Sequence, residues 1–422
     1  NGTLDKTFNT GRALTVVGAL NDEGHATALQ ADGKIVVGGY SSNGTNTDFA
    51  LARYSSDGSL DTTFGNNGKV TTAIGTGAET IYALTIQADG KIIAAGTTFA
   101  AASGIYNAAV VRYNPDGSLD TSFDNDGIVR MAVGGVDSYL SAVTIQPDGK
   151  IIAGGQTGVG SARNSLFIRV NANGSPDNSF DGDGIAVIQV STVDSDSING
   201  IVIQPDGKIV AVGNSSFPIG SNNQFLVLRL TSSGTLDTTF DADGINTTII
   251  GSAQSYAFAA ALQSDGKIVV AGNAFNGTNN DFAVARYNAN GSLDTSFDTD
   301  GFLMTAVGNN SDVARGLAIQ PDGRIVVGGR SDTVTTLGEF GVVRYNTNGT
   351  LDTTFSGDGK VVTDISGKQD EGFGLFIQPD GKILLAGSAQ NGVNYDFVVA
   401  RYEGGSAVNC SYNFNPTGQT VV

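Results

Sequence analysis

The 422-residue sequence holds 59 glycines, 8 prolines, no tryptophan and one cysteine, Cys410, and its 23 basic against 41 acidic residues give a formal charge of −18. That balance, with no cluster of Lys or Arg, excludes a nucleic-acid binder, which needs a basic face. One cysteine excludes an internal disulfide framework, and no run of 18 apolar residues offers a membrane span.

The chain opens on "NGTLDKTF" (Asn1–Phe8), and six near copies follow, ending at Phe64, Phe123, Phe180, Phe240, Phe297 and Phe355. A second motif, Q-x-D-G-[KR]-I, occurs seven times, with its Asp at 32, 89, 148, 206, 265, 322 and 380. A fixed period of about 58 residues is the mark of a repeat architecture.

Each unit reads as four short strands. The first resembles "YALTIQ" (Tyr82–Gln87) and runs into the Q-x-D-G turn, where Gly supplies a positive φ and Pro, when present, presets the preceding residue. The second is "KIIAAG" (Lys91–Gly96). A variable loop leads to the third, "FALARY" (Phe49–Tyr54). A second fixed turn, "NPDGSLDTSF" (Asn114–Phe123), leads to the fourth, "GKVTTAI" (Gly68–Ile74). Seven four-stranded units predict an all-β, seven-bladed β-propeller over residues 1–403. An open solenoid would leave two ends to cap. A small residue stands four before each motif Gln (Ala26, Ala83, Ala142, Gly200, Ala259, Gly316, Gly374), which places the first strand innermost, where blades converge.

The third strand carries an Arg in every unit, and an Asp follows eight residues later in six of them: Arg53/Asp61, Arg112/Asp120, Arg169/Asp177, Arg229/Asp237, Arg286/Asp294 and Arg344/Asp352. A charge inside an apolar strand needs a partner, so these read as structural ion pairs, with a bidentate fork as one geometry. Arg401 breaks the pattern, with Asn409 eight residues on, and Asp5 is the spare. The N-terminal segment is therefore expected to complete the seventh blade, with Arg12–Gly18 as its outer strand and Asp5 beside Arg401.

The two fixed turns share one face of a propeller, and the variable 2–3 and 4–1 connections share the other. Loops free of a geometric duty are where binding resides, so ligand contacts are expected on the variable face. Eight residues before the motif Gln stand Asp22, Glu79, Asp196, Asp312 and Asp370, with Ser138 and Ser255 in the remaining units. They are expected to ring one channel mouth, either as solvated acids or as a site for a cation or basic group. Tyr82, Tyr139 and Tyr256 (with Tyr106 and Tyr395) fall near the same face. The cofactor expectation is none, with calcium as the metal to test: "LDTSFDNDG" brings Asp120, Asp124 and Asp126 together, although Asp is also a turn former and the spacing is not that of a helix–loop–helix calcium loop. The single His, His25, reads as channel lining, so neither a Ser-His-Asp triad nor a His-rich metal site is expected.

With "IQPDGKIV", "FAVARYN" and "GSLDTSF" segments recurring in order, residues 1–403 resemble the delta-60 repeat family. The tail "CSYNFNPTGQTVV" (Cys410–Val422) resembles the start of a BACON-like β-sandwich domain, so residues 404–422 read as a linker and module start. The resemblances imply a bacterial protein, extracellular or on the cell surface, with further domains in the same polypeptide and no catalytic residues to carry over. The expected role is a non-enzymatic binding or scaffold module for a protein or glycan. The alternatives are a carbohydrate-binding propeller, for which the lack of Trp is a handicap, and a polysaccharide hydrolase or lyase.

Overall fold

A computed structural model describes residues 2–160, 162–191, 195–216, 222–333 and 338–405. Cys410 and the BACON-like tail lie outside the described residues. Seven antiparallel sheets of four strands form a β-propeller. Blades 1 to 6 follow chain order, each running from its inner to its outer strand. The inner strands are Asp22–Leu29, Glu79–Ile86, Asp137–Ile145, Asp196–Ile203, Ser255–Leu262, Asp312–Ile319 and Asp370–Ile377. No helix is long and apolar enough to cross a membrane among the described residues.

Blade 7 takes its outer strand from the other end of the chain. Arg12–Thr15 pairs antiparallel with Asn394–Tyr402, in the register Arg12↔Ala400 to Thr15↔Phe397. This strand is shorter than the Arg12–Gly18 expected, because Val17 and Gly18 turn away to serve the connection into blade 1. Closure covers the edge that Asn394–Tyr402 would otherwise expose.

The core is a set of interfaces between blades. One apolar cluster joins Val36, Phe49 and Leu51 of blade 1 to Ile81, Ile92 and Val111 of blade 2. Another joins Leu384, Phe397 and Val399 of blade 7 to Ile35, Val37 and Ala52 of blade 1. This is why the second and third strands are apolar on both faces: each is sandwiched between two neighbouring sheets. The motif phenylalanines (Phe8, Phe64, Phe123, Phe180, Phe240, Phe297, Phe355) are all fully buried. Burying each such ring stabilises the fold by roughly 1.5–3 kcal/mol.

Each third-strand Arg lies over the motif Phe, with 4.5 to 4.8 Å from guanidinium carbon to ring centre. Its Nε donates to the motif Asp at 2.6 to 2.8 Å in all seven blades. The pair is not a fork on a fork. One terminal nitrogen leaves the blade and donates to a turn carbonyl of the next: Arg229 to Ala289 at 2.6 Å, Arg286 to Thr347 at 2.6 Å, and Arg401 to Ser56 at 2.6 Å across the seam. The basic residue of Q-x-D-G-[KR] then approaches the same Asp from the other fixed turn, at 2.6 to 3.3 Å. Two cations per carboxylate tie both fixed turns and the adjoining blade together, a role for which the repeated basic residue of the first turn is the mark in the sequence.

Candidate functional site

Every inner strand carries a β-bulge at one position. Pairing with the second strand skips His25, Tyr82, Ser141, Asn199, Phe258, Arg315 and Phe373 in blades 1 to 7. A bulge leaves its extra residue unpaired and re-aims the side chain. A glycine opposite each bulge permits it. A Cβ on Gly39, Gly96, Gly155, Gly213, Gly272, Gly329 or Gly387 would lie 1.7 to 2.0 Å from an inner-strand carbonyl. The seven bulge residues form a ring at the channel waist, none of them fully buried, while their neighbours on one or both sides are covered.

Five of the seven touch in sequence around the axis. His25 stacks on Tyr82 at 5.5 Å and meets Phe373 at 5.0 Å. The Arg315 guanidinium sits 5.0 Å from the Phe373 ring centre and 4.8 Å from that of Phe258. Asn199 donates to Ala257 O at 2.9 Å. Towards the variable face, Glu23 accepts from His25 at 3.3 Å and from Tyr40. Burial pushes the Glu23 carboxyl up, but those two bonds outweigh it and hold the acid below its usual range. Arg330 bonds Asp332 at 2.7 Å and Glu371 at 2.8 Å. Tyr106 packs against Phe99 at 5.1 Å and Tyr139 at 5.3 Å, and Arg163 lies over Tyr139 at 4.8 Å. Tyr256 accepts from Asn223 at 3.1 Å, and Tyr395 donates to Gln369 at 2.7 Å. The mouth is thus walled by aromatic faces and bonded polar side chains.

Below the waist, a cavity of about 540 Å³ occupies the axis and reaches the fixed-turn face. All seven inner strands line it, through residues such as Leu84, Val143, Val202, Ala261, Leu317 and Leu375, with Pro147 and Pro205 at its rim. The variable loops of the sequence point only to the opposite face. The apolar second halves of the inner strands were the available signal for this cavity.

Two groups of expected site residues lie elsewhere. Asp22, Glu79, Asp196, Asp312 and Asp370 do not ring the mouth: all five are fully buried inside the blades. Each carboxylate accepts two N–H groups of the 4–1 connection, such as Val17 and Gly18 on Asp22, Val190 and Ser191 on Asp196, and Ile365 and Ser366 on Asp370. That connection crosses between blades, where unbonded N–H groups would be costly, so the acid caps it. Burial pushes the Glu79, Asp312 and Asp370 carboxyls upward, against the pull of those bonds. The second group is Asp120, Asp124 and Asp126, which serve turns. Asp120 is held by Arg112 and Lys91, Asp126 bonds Ile128 N and Arg130, and Asp124 adopts φ +48° with its N–H on Asn173 O of blade 3. No group of three or more His, Cys, Asp or Glu side chains converges as a metal site among the described residues.

A family described as "Domain of unknown function (DUF5122) beta-propeller" matches the chain seven times, at residues 30–64, 87–123, 146–180, 204–240, 263–297, 320–355 and 378–406, together more than half of its length. The chain belongs to the DUF5122 beta-propeller family. No curated protein matches its sequence. Among solved structures, the DUF5122 propeller is similar to the polysaccharide lyase Uly1, with 12% identity over 92–93% of the two chains and a TM-score of 0.54. It is also similar to a catalytically inactive virginiamycin B lyase from Staphylococcus aureus with quinupristin, at 14% identity, 92% and 99% coverage and a TM-score of 0.53. A polysaccharide lyase described as PL25 ulvan lyase matches at 13% identity, 93% and 96% coverage and a TM-score of 0.50. At these identities the likeness is one of fold. The chemistry of the DUF5122 propeller must be read from its own channel: ring faces for stacking, polar edges for hydrogen bonds, and one cation at the waist.

Proposed function

We propose that this protein is a non-enzymatic binding module that takes a saccharide at the variable-face mouth of its channel. It works at the surface of a bacterial cell or outside it, as one delta-60-type propeller within a longer polypeptide. The observation that carries this reading is the run of aromatic rings along the mouth and waist: Phe258, Phe373, His25, Tyr82, Tyr139 and Tyr106. Rings provide flat apolar area with little conformational entropy to lose, which suits the C–H face of a sugar ring. Glu23, Arg330, Glu371 and Asn223 supply fixed donors and acceptors for hydroxyls beside those rings. Tyrosine and phenylalanine here take the stacking part for which the sequence has no tryptophan.

A glycan array followed by calorimetry tests the reading. Binding by the wild type, weakened severalfold or more by Tyr139→Ala and Tyr82→Ala, is expected. An array without a hit, or a hit that both variants retain in full, would overturn it. A lyase is the second reading, supported by the Glu23–His25 contact beneath Tyr40 as a candidate proton relay. Incubation with a captured polysaccharide separates the two, because a lyase leaves an unsaturated product that absorbs in the ultraviolet and a binding module leaves none.

A further inference from the structure

Arg315 is out of place in this charge pattern. Among the described residues, every other arginine except surface-exposed Arg12 has a carboxylate oxygen within 4.0 Å. Arg315 has neither an ion pair nor a hydrogen bond, although the protein carries eighteen excess negative charges. Its guanidinium is held between Phe258 and Phe373, half-buried, on a bulge that directs it to the axis. Aromatic faces fix the plane of an arginine and leave its N–H edge free. Across the Phe373 ring, His25 keeps a buried Nδ1 that also lacks a partner. A half-buried cation whose five N–H donors have no protein partner is free to take a ligand with acceptor oxygens.

We propose that Arg315 is an oxyanion receptor at the channel waist, binding the carboxylate or sulfate group of an acidic saccharide that enters from the variable face. The planar fork matches two oxygens of either group. Glu371 and Glu23 stand on the mouth side: Glu371 shares Arg330 with Asp332, and Glu23 accepts from His25 and Tyr40, so both acids are held by bonds to the wall while their remaining negative charge opposes the passing anion. Entry from the fixed-turn face is disfavoured, because the cavity there is apolar. The proposal rests on the mouth being a ligand site and specifies the class of sugar it selects.

The test is calorimetry with glucuronate, glucose 6-sulfate and glucose on the wild type and on Arg315→Gln, Arg315→Lys and Arg130→Gln. Expected are saturable heats with one or both anions, tighter than with glucose, and weakened about tenfold or more in Arg315→Gln, a change of about 1.4 kcal/mol. Arg315→Lys keeps the charge without the fork and should fall in between, while Arg130→Gln should match the wild type. The two anions report separately, so a carboxylate ligand and a sulfate ester are told apart. Thermal melts check that the variants fold. If Arg315→Gln does not, movement of the Arg315 Nε–H resonance of the wild type on anion addition takes its place. No anion binding by the wild type, equal binding by Arg315→Gln, or an unmoved resonance overturns the proposal. Neutral glycans that still depend on Tyr139 would leave the broader reading intact, so the two failures are distinct.

Discussion

Asp5 and Arg401 lie 396 residues apart in the sequence, and their side chains meet at 2.7 Å inside blade 7. The contact reproduces that of the other six blades in each part. Thr7 donates to Asp5, Arg401 covers Phe8, and Lys382 approaches from the first fixed turn at 2.6 Å. Arg401 also reaches Ser56 O in blade 1, so one side chain joins both ends of the chain to the seam. Removing Asp5 leaves the buried Arg401 charge without a carboxylate, whereas removing Arg401 leaves Asp5 paired with Lys382 alone. Asp5→Ala should therefore cost about 3–5 kcal/mol, measured by urea unfolding, and Arg401→Ala less. The double variant should cost less than the sum of the singles. Additive losses would mean that the pair does not act as a pair.

Gly96 faces the bulge of blade 2. A methyl group there would lie 1.9 Å from Thr80 O, within the backbone of the partner strand. Either the bulge flattens or the two strands separate, and both outcomes displace Tyr82. Gly96→Ala is expected to destabilise the fold by about 1–3 kcal/mol. It should also change the ultraviolet absorbance and fluorescence of the aromatic cluster more than a mutation of equal cost on the outer strands does. Unchanged stability would mean that the bulge is not enforced by glycine.

The seven blades, the order of strands and the closure by the N-terminus were all legible in the sequence, because each is written as a repeated interval. The Arg-to-Asp distance of eight residues stays fixed while the loops drift, and its single failure at Arg401 indicates where Asp5 belongs. The waist ring was not legible. It depends on a one-residue slip between two strands, and the residues at that position (His25, Tyr82, Ser141, Asn199, Phe258, Arg315, Phe373) follow no common motif. The available clue was their place, next to the small residue four before the motif Gln. The acid at the head of each inner strand misled for a related reason. A carboxylate that caps buried N–H groups and one that faces solvent look the same in sequence. Only the direction of the 4–1 connection separates them, and that direction is set by packing between blades.

Calcium removal should leave stability unchanged. Asp120 has Arg112 and Lys91 as counter-ions, and Asp126 has Arg130. A divalent ion would have to displace three cationic groups already seated. Melting curves in excess calcium and in chelator should superimpose. A rise in melting temperature that saturates with calcium would show a site that these contacts do not account for.

Acid should unfold the ring through the motif aspartates. In the folded protein, burial by itself pushes Asp61 upward. The Thr63 bonds and the Arg53 and Lys34 charges outweigh it, and the carboxyl is held at about 2. Asp5, Asp120, Asp177, Asp237, Asp294 and Asp352 are shifted downward by the same set of contacts. An unfolded Asp titrates near 3.9. A folded pKa below the unfolded value means that the unfolded chain takes up protons first as pH falls. The stabilisation is therefore complete above about pH 5, declines below about pH 4, and is gone once the folded groups protonate. The capping acids Glu79, Asp312 and Asp370 act in the opposite sense. Their folded pKa values are raised, so protonation favours the fold and partly offsets the early part of the loss. Among the described residues ten carboxyls are depressed, with Glu23, Asp57 and Asp116 beside the seven motif aspartates, and five are raised, with Asp298 and Asp396 beside the three caps, which leaves a net loss with acid. Urea midpoints followed from pH 7 downward should stay nearly level to about pH 5 and then drop steeply. Asp61→Asn should start lower at pH 7 and drop less steeply, because one proton-linked group is gone. A midpoint that is flat to pH 3, or a variant that parallels the wild type, would show that these pairs do not set the acid limit of the ring.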